Sequence, residues 1–201
     1  MFEEINRLYK KAFDENGNSA SAVLIPRDNQ FLRFQSFINF LPQQIELSII
    51  DYGCGLAHLN TYLITHLPCR FRYVGVDINE DFLSENRKIH ANSDFYSRDV
   101  FFQNFNRADF IVSIGTFNLK YKEDTTANKN FVFSEINRLW EKVDVGLYLN
   151  FMSTVVDFQQ AGAYHQDLGE VYEYCCKNLS RKIMIDSSYL PYEYSILILK
   201  Y

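Results

Sequence analysis

Ser48-Ile49-Ile50-Asp51-Tyr52-Gly53-Cys54-Gly55-Leu56-Ala57 is the decisive stretch of this chain: an apolar run ending in an acid, two glycines two residues apart, then the start of a helix-like segment. A short β-branched run reads as a buried strand. Gly53 and Gly55 let the backbone turn tightly and approach a ligand where a Cβ would collide. Dinucleotide-binding loops share this logic, but their G-x-G-x-x-G fingerprint needs a third glycine for close helix–strand packing. Here that place holds His58, whose imidazole is expected to hold the helix off the sheet. Asp51, two residues before the first glycine, is an acid that the dinucleotide fingerprint does not require.

Downstream, Arg72-Tyr73-Val74-Gly75-Val76-Asp77 reads as a second buried strand ending in a carboxylate, 26 residues after Asp51. A helix over 56–67 and a short connection fit in that interval, which is the length a right-handed parallel crossover requires. Both acids then sit at the carboxyl ends of neighbouring strands, where open α/β sheets bind ligands, and Asp77 can accept two hydrogen bonds from a ribose diol. Asp77 also reads as the N-cap of a helix over 79–86. A third strand, Asp94 to Asp99, again ends in an acid. A fourth, Asp109 to Gly115, ends in small residues followed by Thr116-Phe117-Asn118.

The pattern Asp51-x-Gly53-x-Gly55-x-Ala57, with alanine at the third glycine, resembles the first motif of class I S-adenosylmethionine-dependent methyltransferases. The blocks Gln30-Phe31-Leu32-Arg33-Phe34, Gly115-Thr116-Phe117-Asn118, Leu149-Asn150-Phe151 and Ser188 to Tyr194 carry the resemblance over almost the whole chain, to a bacterial group of such enzymes. It implies an α/β, Rossmann-like sheet of seven mostly parallel strands in the order 3-2-1-4-5-7-6, the last antiparallel, with helices on both faces. It also implies a single domain over 1–201, made of an N-terminal helical cover over 1–45 and a core over 46–201. By matching position it makes Asp51, Gly53, Cys54 and Gly55 the cofactor loop, and Asp77 with Ile78 the ribose end. Asp99 with Val100 becomes the adenine contact, and Ser113, Gly115 and Asn118 the floor of the transfer site. Asp99 reads equally as a solvated turn residue.

Before the loop, apolar residues at 2, 5, 8, 9, 12 and 13 have helical spacing. A second helix over 28–41 is expected to be capped by Asp28 and buried along Phe31, Phe34, Ile38 and Leu41. Gln30 and Arg33 share a face of it and can reach the methionine carboxylate of S-adenosylmethionine, as hydrogen bond and fork. Arg33 also reads as a surface ion-pair residue. After the fourth strand the periodicity predicts a helix over 128–142, a strand over 143–152, a helix over 167–178, and two strands, 181–186 and 194–199, joined by a turn short enough to pair them antiparallel.

A net charge of −5 and the lack of any basic run disfavour nucleic acid as partner. The segment after the fourth strand also departs from the Asn/Asp-Pro-Pro-Tyr/Phe of nucleic-acid amino methyltransferases. Cys54, Cys69, Cys175 and Cys176 have neither metal-ligand nor disulfide spacing, and the four histidines have no metal-binding spacing, so no metal is expected. The N-terminus lacks a cationic start with an apolar core, and no run of about 18 apolar residues occurs, so a cytoplasmic protein without membrane insertion is expected. The expected function is S-adenosylmethionine-dependent methylation of a small molecule at an oxygen, such as a sugar or other metabolite. His165 would be the general base, and Asn118 and Asn150 would orient the acceptor. The alternatives are a regulatory module that binds S-adenosylmethionine without turnover, and a nicotinamide-dependent dehydrogenase.

Overall fold

The computed structural model describes residues 2–42, 46–105, 107–121, 124–160 and 162–200. The chain divides into two compact units, Met1–Asn106 and Arg107–Tyr201.

The first unit opens with α1 (Glu3–Asn16), a 3₁₀ turn (Ala20–Val23) and α2 (Arg27–Phe40). Then β1 (Glu46–Tyr52), α3 (His58–His66), β2 (Arg70–Asp77), α4 (Glu80–Ile89), β3 (Asp94–Ser97) and α5 (Arg98–Asn104) follow. β1 and β2 pair in parallel from Glu46↔Arg70 to Tyr52↔Val76, and β2 and β3 from Val74↔Asp94 to Asp77↔Ser97. Ile49, Ile50, Val76, Leu59, Leu63, Phe82, Leu83 and Phe101 are fully buried, each contributing about 1.5–3 kcal/mol by leaving water.

Several local expectations change here. α2 begins at Arg27, because Pro26 has φ −59° preset for a helix start and has no N–H to satisfy; Asp28 lies in the first turn and is not the cap. The buried side of α2 is Gln30, Arg33, Phe34, Ser36 and Phe37, whereas Phe31 is 37% exposed and stacks on Tyr62 with centroids 5.5 Å apart. The cap of α4 is Asn79, whose side chain accepts from the Asp81 and Phe82 amides, so Asp77 is not the cap. β3 stops at Ser97, and Asp99 falls in the first turn of α5, a helix too short to show a periodicity.

α3 starts at His58, two residues later than expected, because Ala57 adopts a left-handed conformation, φ 52° and ψ 32°. That is where the resembling motif carries glycine. The left-handed region costs an alanine about 1–2 kcal/mol, and glycine returns roughly 0.4–1 of this through the entropy of its unfolded chain. Ala57→Gly is therefore expected to stabilise the protein by up to ~1 kcal/mol, read as a higher urea midpoint at unchanged slope. A lower midpoint would show that the Ala57 methyl, fully buried, contributes more by packing than it costs in strain.

The second unit contains β4 (Ala108–Ser113), a 3₁₀ turn (Thr116–Asn118), α6 (Thr125–Trp140), β5 (Val143–Ser153) and β6 (His165–Gln166). α7 (Leu168–Asn178), β7 (Lys182–Asp186) and β8 (Glu193–Leu199) complete it. α6 and α7 are capped by the Asp124 and Asp167 side chains, so Asp167 precedes its helix. β4 and β5 are parallel, ending at Ser113↔Leu149; β8 runs antiparallel to both β5 and β7.

The strand order is β3-β2-β1-β4-β5-β8-β7, with β6 attached to β5. It is the expected path with one additional two-residue strand, which moves the numbers of the last two strands up by one. No helix among the described residues is long and apolar enough to cross a membrane.

Candidate functional site

In the first unit the turn after β1 is tied to the tip of β2 by its own backbone. The Gly53 and Cys54 amides both donate to Val76 O, at 2.7 and 3.0 Å, and the Gly55 amide donates to Asp77 Oδ2 at 2.8 Å. Asp77 Oδ1 accepts the Asn79 amide at 2.8 Å. A loop that cradles pyrophosphate turns its amides outward to the ligand. Here three consecutive amides are spent on β2, and what this turn presents is a carboxylate at a strand tip. Gly55 has φ +51°, and a Cβ on it would lie 2.9 Å from Val23 Cγ1, so its lack of a side chain is also a packing requirement toward the N-terminal segment. Burial pushes the Asp77 carboxyl above its ordinary range, and the backbone amides around it pull the other way.

Asp51 lies one register step behind, opposite Gly75, and accepts a hydrogen bond from the buried Tyr73 hydroxyl at 2.7 Å. Burial raises its carboxyl to about 7, Tyr73 opposing and the Asp77 charge adding. Cys54 is buried and its thiol is pushed well up by burial and by Asp77 and Asp51, so it stays protonated at neutral pH. Asn86 of α4, fully buried, donates to Gly55 O at 2.8 Å, so the Gly55 peptide is held from both ends by side chains. Gln30 and Arg33 are both buried on α2. His58 does not stand between helix and sheet as expected: its Nε2 pairs with Asn18 Oδ1 at 2.9 Å, and α3 buries Leu59, Asn60 and Leu63 instead. Ile78 follows Asp77 directly. Val100 is exposed, and Asp99, 81% exposed at its side chain, pairs with Arg98 at 3.1 Å.

In the second unit, Asn150 of β5 is fully buried, with each polar atom engaged twice. Its Nδ2 donates to Tyr189 Oη at 2.6 Å and Glu193 Oε2 at 3.0 Å; its Oδ1 accepts from the Gly115 amide at 3.1 Å and Asn118 Nδ2 at 3.4 Å. Asn118 Oδ1 accepts the Met152 amide at 3.0 Å, and its backbone carbonyl accepts from Tyr164 N at 2.9 Å. His165 pairs with Met152 across β6 and β5. Its Nδ1 lies 2.7 Å from Ser153 O, and since a carbonyl only accepts, Nδ1 carries the proton and Nε2 the lone pair.

Five buried side-chain atoms lack a hydrogen-bond partner among the described residues, and the two in this unit are His165 Nε2 and Ser113 Oγ. Both belong to residues singled out from the sequence. Buried polar atoms are nearly always paired, so each of these two orphans calls for an explanation.

No protein-family model matches the chain, and no curated protein matches its sequence. Solved structures do. The plantazolicin methyltransferase BpumL, in complex with a triazolic desmethylPZN analog and SAH, superposes with a TM-score of 0.63 at 14% identity, over 98% of this chain and 91% of that one. A possible exported protein from Bordetella parapertussis gives 0.65 at 12% identity, over 89% of this chain and 69% of that one. The CurJ carbon methyltransferase gives 0.62 at 12% identity over 97% of this chain, which spans 59% of the CurJ chain. The fold is that of class I methyltransferases.

Within this methyltransferase fold the structure gathers Asp51, Gly53, Cys54, Gly55 and Asp77 around one strand-to-loop junction, and Gly115, Asn118 and Asn150 around another. It leaves Asp99 and Val100 on the surface of α5. Sequence reasoning missed Tyr73, Asn86, Tyr189 and Glu193. Only Tyr73, alternating with Gly75 and Asp77 along β2, had a local signal, since those residues share one face of the strand.

The raised Asp51 carboxyl carries a stability prediction. Its folded value of about 7 lies above the unfolded value of roughly 4. Between these pH values the native state holds the proton that the unfolded state releases, so stability falls as pH rises from about 4 to 7 and levels off above, by roughly 4 kcal/mol at most. Asp51→Asn keeps an acceptor for Tyr73 and removes the titration. Its melting temperature between pH 5 and 8 is expected to fall less than that of the parent; parallel curves would refute the assignment.

Proposed function

We propose that this protein is an S-adenosylmethionine-dependent methyltransferase acting on a small molecule at an oxygen. The observation that carries the reading is the inward engagement of the Gly53, Cys54 and Gly55 amides by β2, which leaves a carboxylate at the strand tip to meet a nucleoside diol. The residues present fit the cofactor. Asp77 keeps acceptor capacity on both oxygens for two hydroxyl donors, since a carboxylate offers about four lone-pair sites. Asp51 supplies a second carboxylate on the neighbouring strand. Gln30 and Arg33 on α2 offer a fork for a carboxylate, and Ile78, Asp99, Val100, Ser113 and Gly115 complete the proposed set. When bound, S-adenosylmethionine supplies a methyl group activated on a sulfonium.

The acceptor groups lie in the second unit. His165 Nε2, its lone pair set by Ser153 O, takes the proton of the acceptor hydroxyl. Asn118 spends one amide hydrogen on Asn150 and offers the other to the acceptor. Asn150 takes a different part from the one expected of it: its four positions are filled by protein partners, so it positions Gly115, Asn118, Tyr189 and Glu193 and does not touch the acceptor. In this reading the whole chain, 1–201, works as one catalytic domain.

The test is incubation of the protein and a cell extract with S-adenosylmethionine carrying an isotopically labelled methyl group, followed by mass spectrometry. A small metabolite gaining one labelled methyl on oxygen is the expected result. Saturable binding with no labelled product in any extract would instead favour a regulatory module.

A further inference from the structure

We propose that β7 is the surface through which two copies of this chain pair, edge to edge and antiparallel, with Met184 opposite the second copy's Met184. β7 is the last strand on the sheet path, and among the described residues it pairs with β8 alone. Alternate residues of a strand send their N–H and C=O groups to opposite sides, so every second residue of β7 presents them on the side away from β8. The side chains in the middle of this edge are apolar and exposed: Met184 is 46% and Ile185 41% exposed, on opposite faces of the strand. β3, at the other end of the path, has no large apolar side chain exposed. A bare apolar edge is a template for a further strand, and natural sheets block it with proline, a bulge or a charge inside the strand. β7 has no proline, its register on β8 runs unbroken from Lys182↔Leu199 to Asp186↔Ser195, and its charges lie only at its two ends.

The order of residues along the strand names the occupant. Lys182-Ile183-Met184-Ile185-Asp186 carries opposite charges at its ends and matching apolar residues at each step inward. Turned about a two-fold axis at Met184, Lys182 faces the second copy's Asp186, Ile183 faces its Ile185, and Met184 faces its Met184. Two ion pairs and three apolar cross-strand pairs then form together, with apolar contact on both faces. A parallel alignment sets Lys on Lys and Asp on Asp, and a slip of two residues sets Met184 against a charge, so the charged ends select one register while the apolar middle supplies the attraction. The Asp186 carboxylate is already oriented at the strand end, where its Oδ1 accepts the Ser188 amide at 2.8 Å and the Ser188 hydroxyl at 2.6 Å, and a carboxylate has lone pairs for further donors. Because both copies use the same edge, the assembly closes at two and leaves none of that edge open.

Analytical ultracentrifugation of the parent protein over about 5–200 µM is expected to show a monomer–dimer equilibrium with nothing larger, as for a small interface. Lys182→Asp sets an acid against the second copy's Asp186 and is expected to raise the dimer Kd about tenfold or more, whereas Lys182→Arg leaves it within about twofold. Lys182 is exposed, so both variants should melt with the parent. Met184→Cys is expected to form a disulfide-linked dimer under a mild oxidant, beyond any cross-linking of the parent, because directly opposed residues of an antiparallel pair have Cα atoms about 4.5–5.5 Å apart. Ile185→Cys is expected to stay single-chain on the same gel, since its own copy lies diagonally about 7–8 Å away. A parent that is monomeric throughout the range overturns the proposal. So does a dimer indifferent to Lys182→Asp, or one cross-linked by Ile185→Cys and not by Met184→Cys, which would place the contact at another surface or register.

Discussion

Asp77→Ala is expected to weaken binding of S-adenosylmethionine by roughly 10²–10⁴-fold. Two hydrogen bonds from a diol to a charged carboxylate are worth about 1.5–3 kcal/mol each, and in a buried setting they are not replaced by water. The same side chain holds the Gly55 and Asn79 amides at 2.8 Å, so its removal also loosens the cofactor loop and the start of α4. Asp77→Asn separates the two effects. It keeps one oxygen acceptor for a backbone amide and loses the charge, so it should restore much of the melting temperature but little of the affinity. A folded Asp77→Ala protein with affinity within tenfold of the parent would remove Asp77 from the ligand site.

His165→Gln is expected to lower kcat by about 10²–10⁴-fold while leaving the affinity for S-adenosylhomocysteine within about twofold. His165 pairs with Met152, and Ser153 O fixes its tautomer, so the basic nitrogen is defined by backbone geometry before any acceptor arrives. Gln can donate to the same carbonyl but cannot take a proton. A kcat within threefold of the parent would show that the acceptor reaches the methyl group already ionised.

The strand-tip acids made the first half of this fold legible. Asp51 and Asp77 end apolar runs, and the 26 residues between them fit only a crossover, so both the parallel pairing and the position of the carboxylates follow from local pattern. The internal engagement of the loop amides was not legible, because Val76 O meets Gly53 and Cys54 only once register is set between two strands. α5 escaped because seven residues carry less than two full turns of pattern, and β6 because two residues carry none. Tyr189 and Glu193 lie 39 and 43 positions from Asn150 and reach it only through the antiparallel register of β8 on β5, a non-local fact. His165 was legible as a residue type in the loops after the fifth strand, but its tautomer is a property of its distance to Ser153 O. The buried side of α2 was misplaced because Gln30 and Arg33, polar residues that a hydropathy pattern puts outside, are buried there while Phe31 stays in a surface stack.

The most direct test of the central claim, that the first strand-to-loop junction grips a nucleoside and not a pyrophosphate, is a pair of calorimetric titrations of the intact protein, one with S-adenosylhomocysteine and one with NAD. One-to-one saturable binding of S-adenosylhomocysteine, with no heat from NAD, is the expected result. Binding of NAD with none of S-adenosylhomocysteine would contradict it, and would mean that the loop amides turn outward from Val76 and Asp77 when a phosphate arrives.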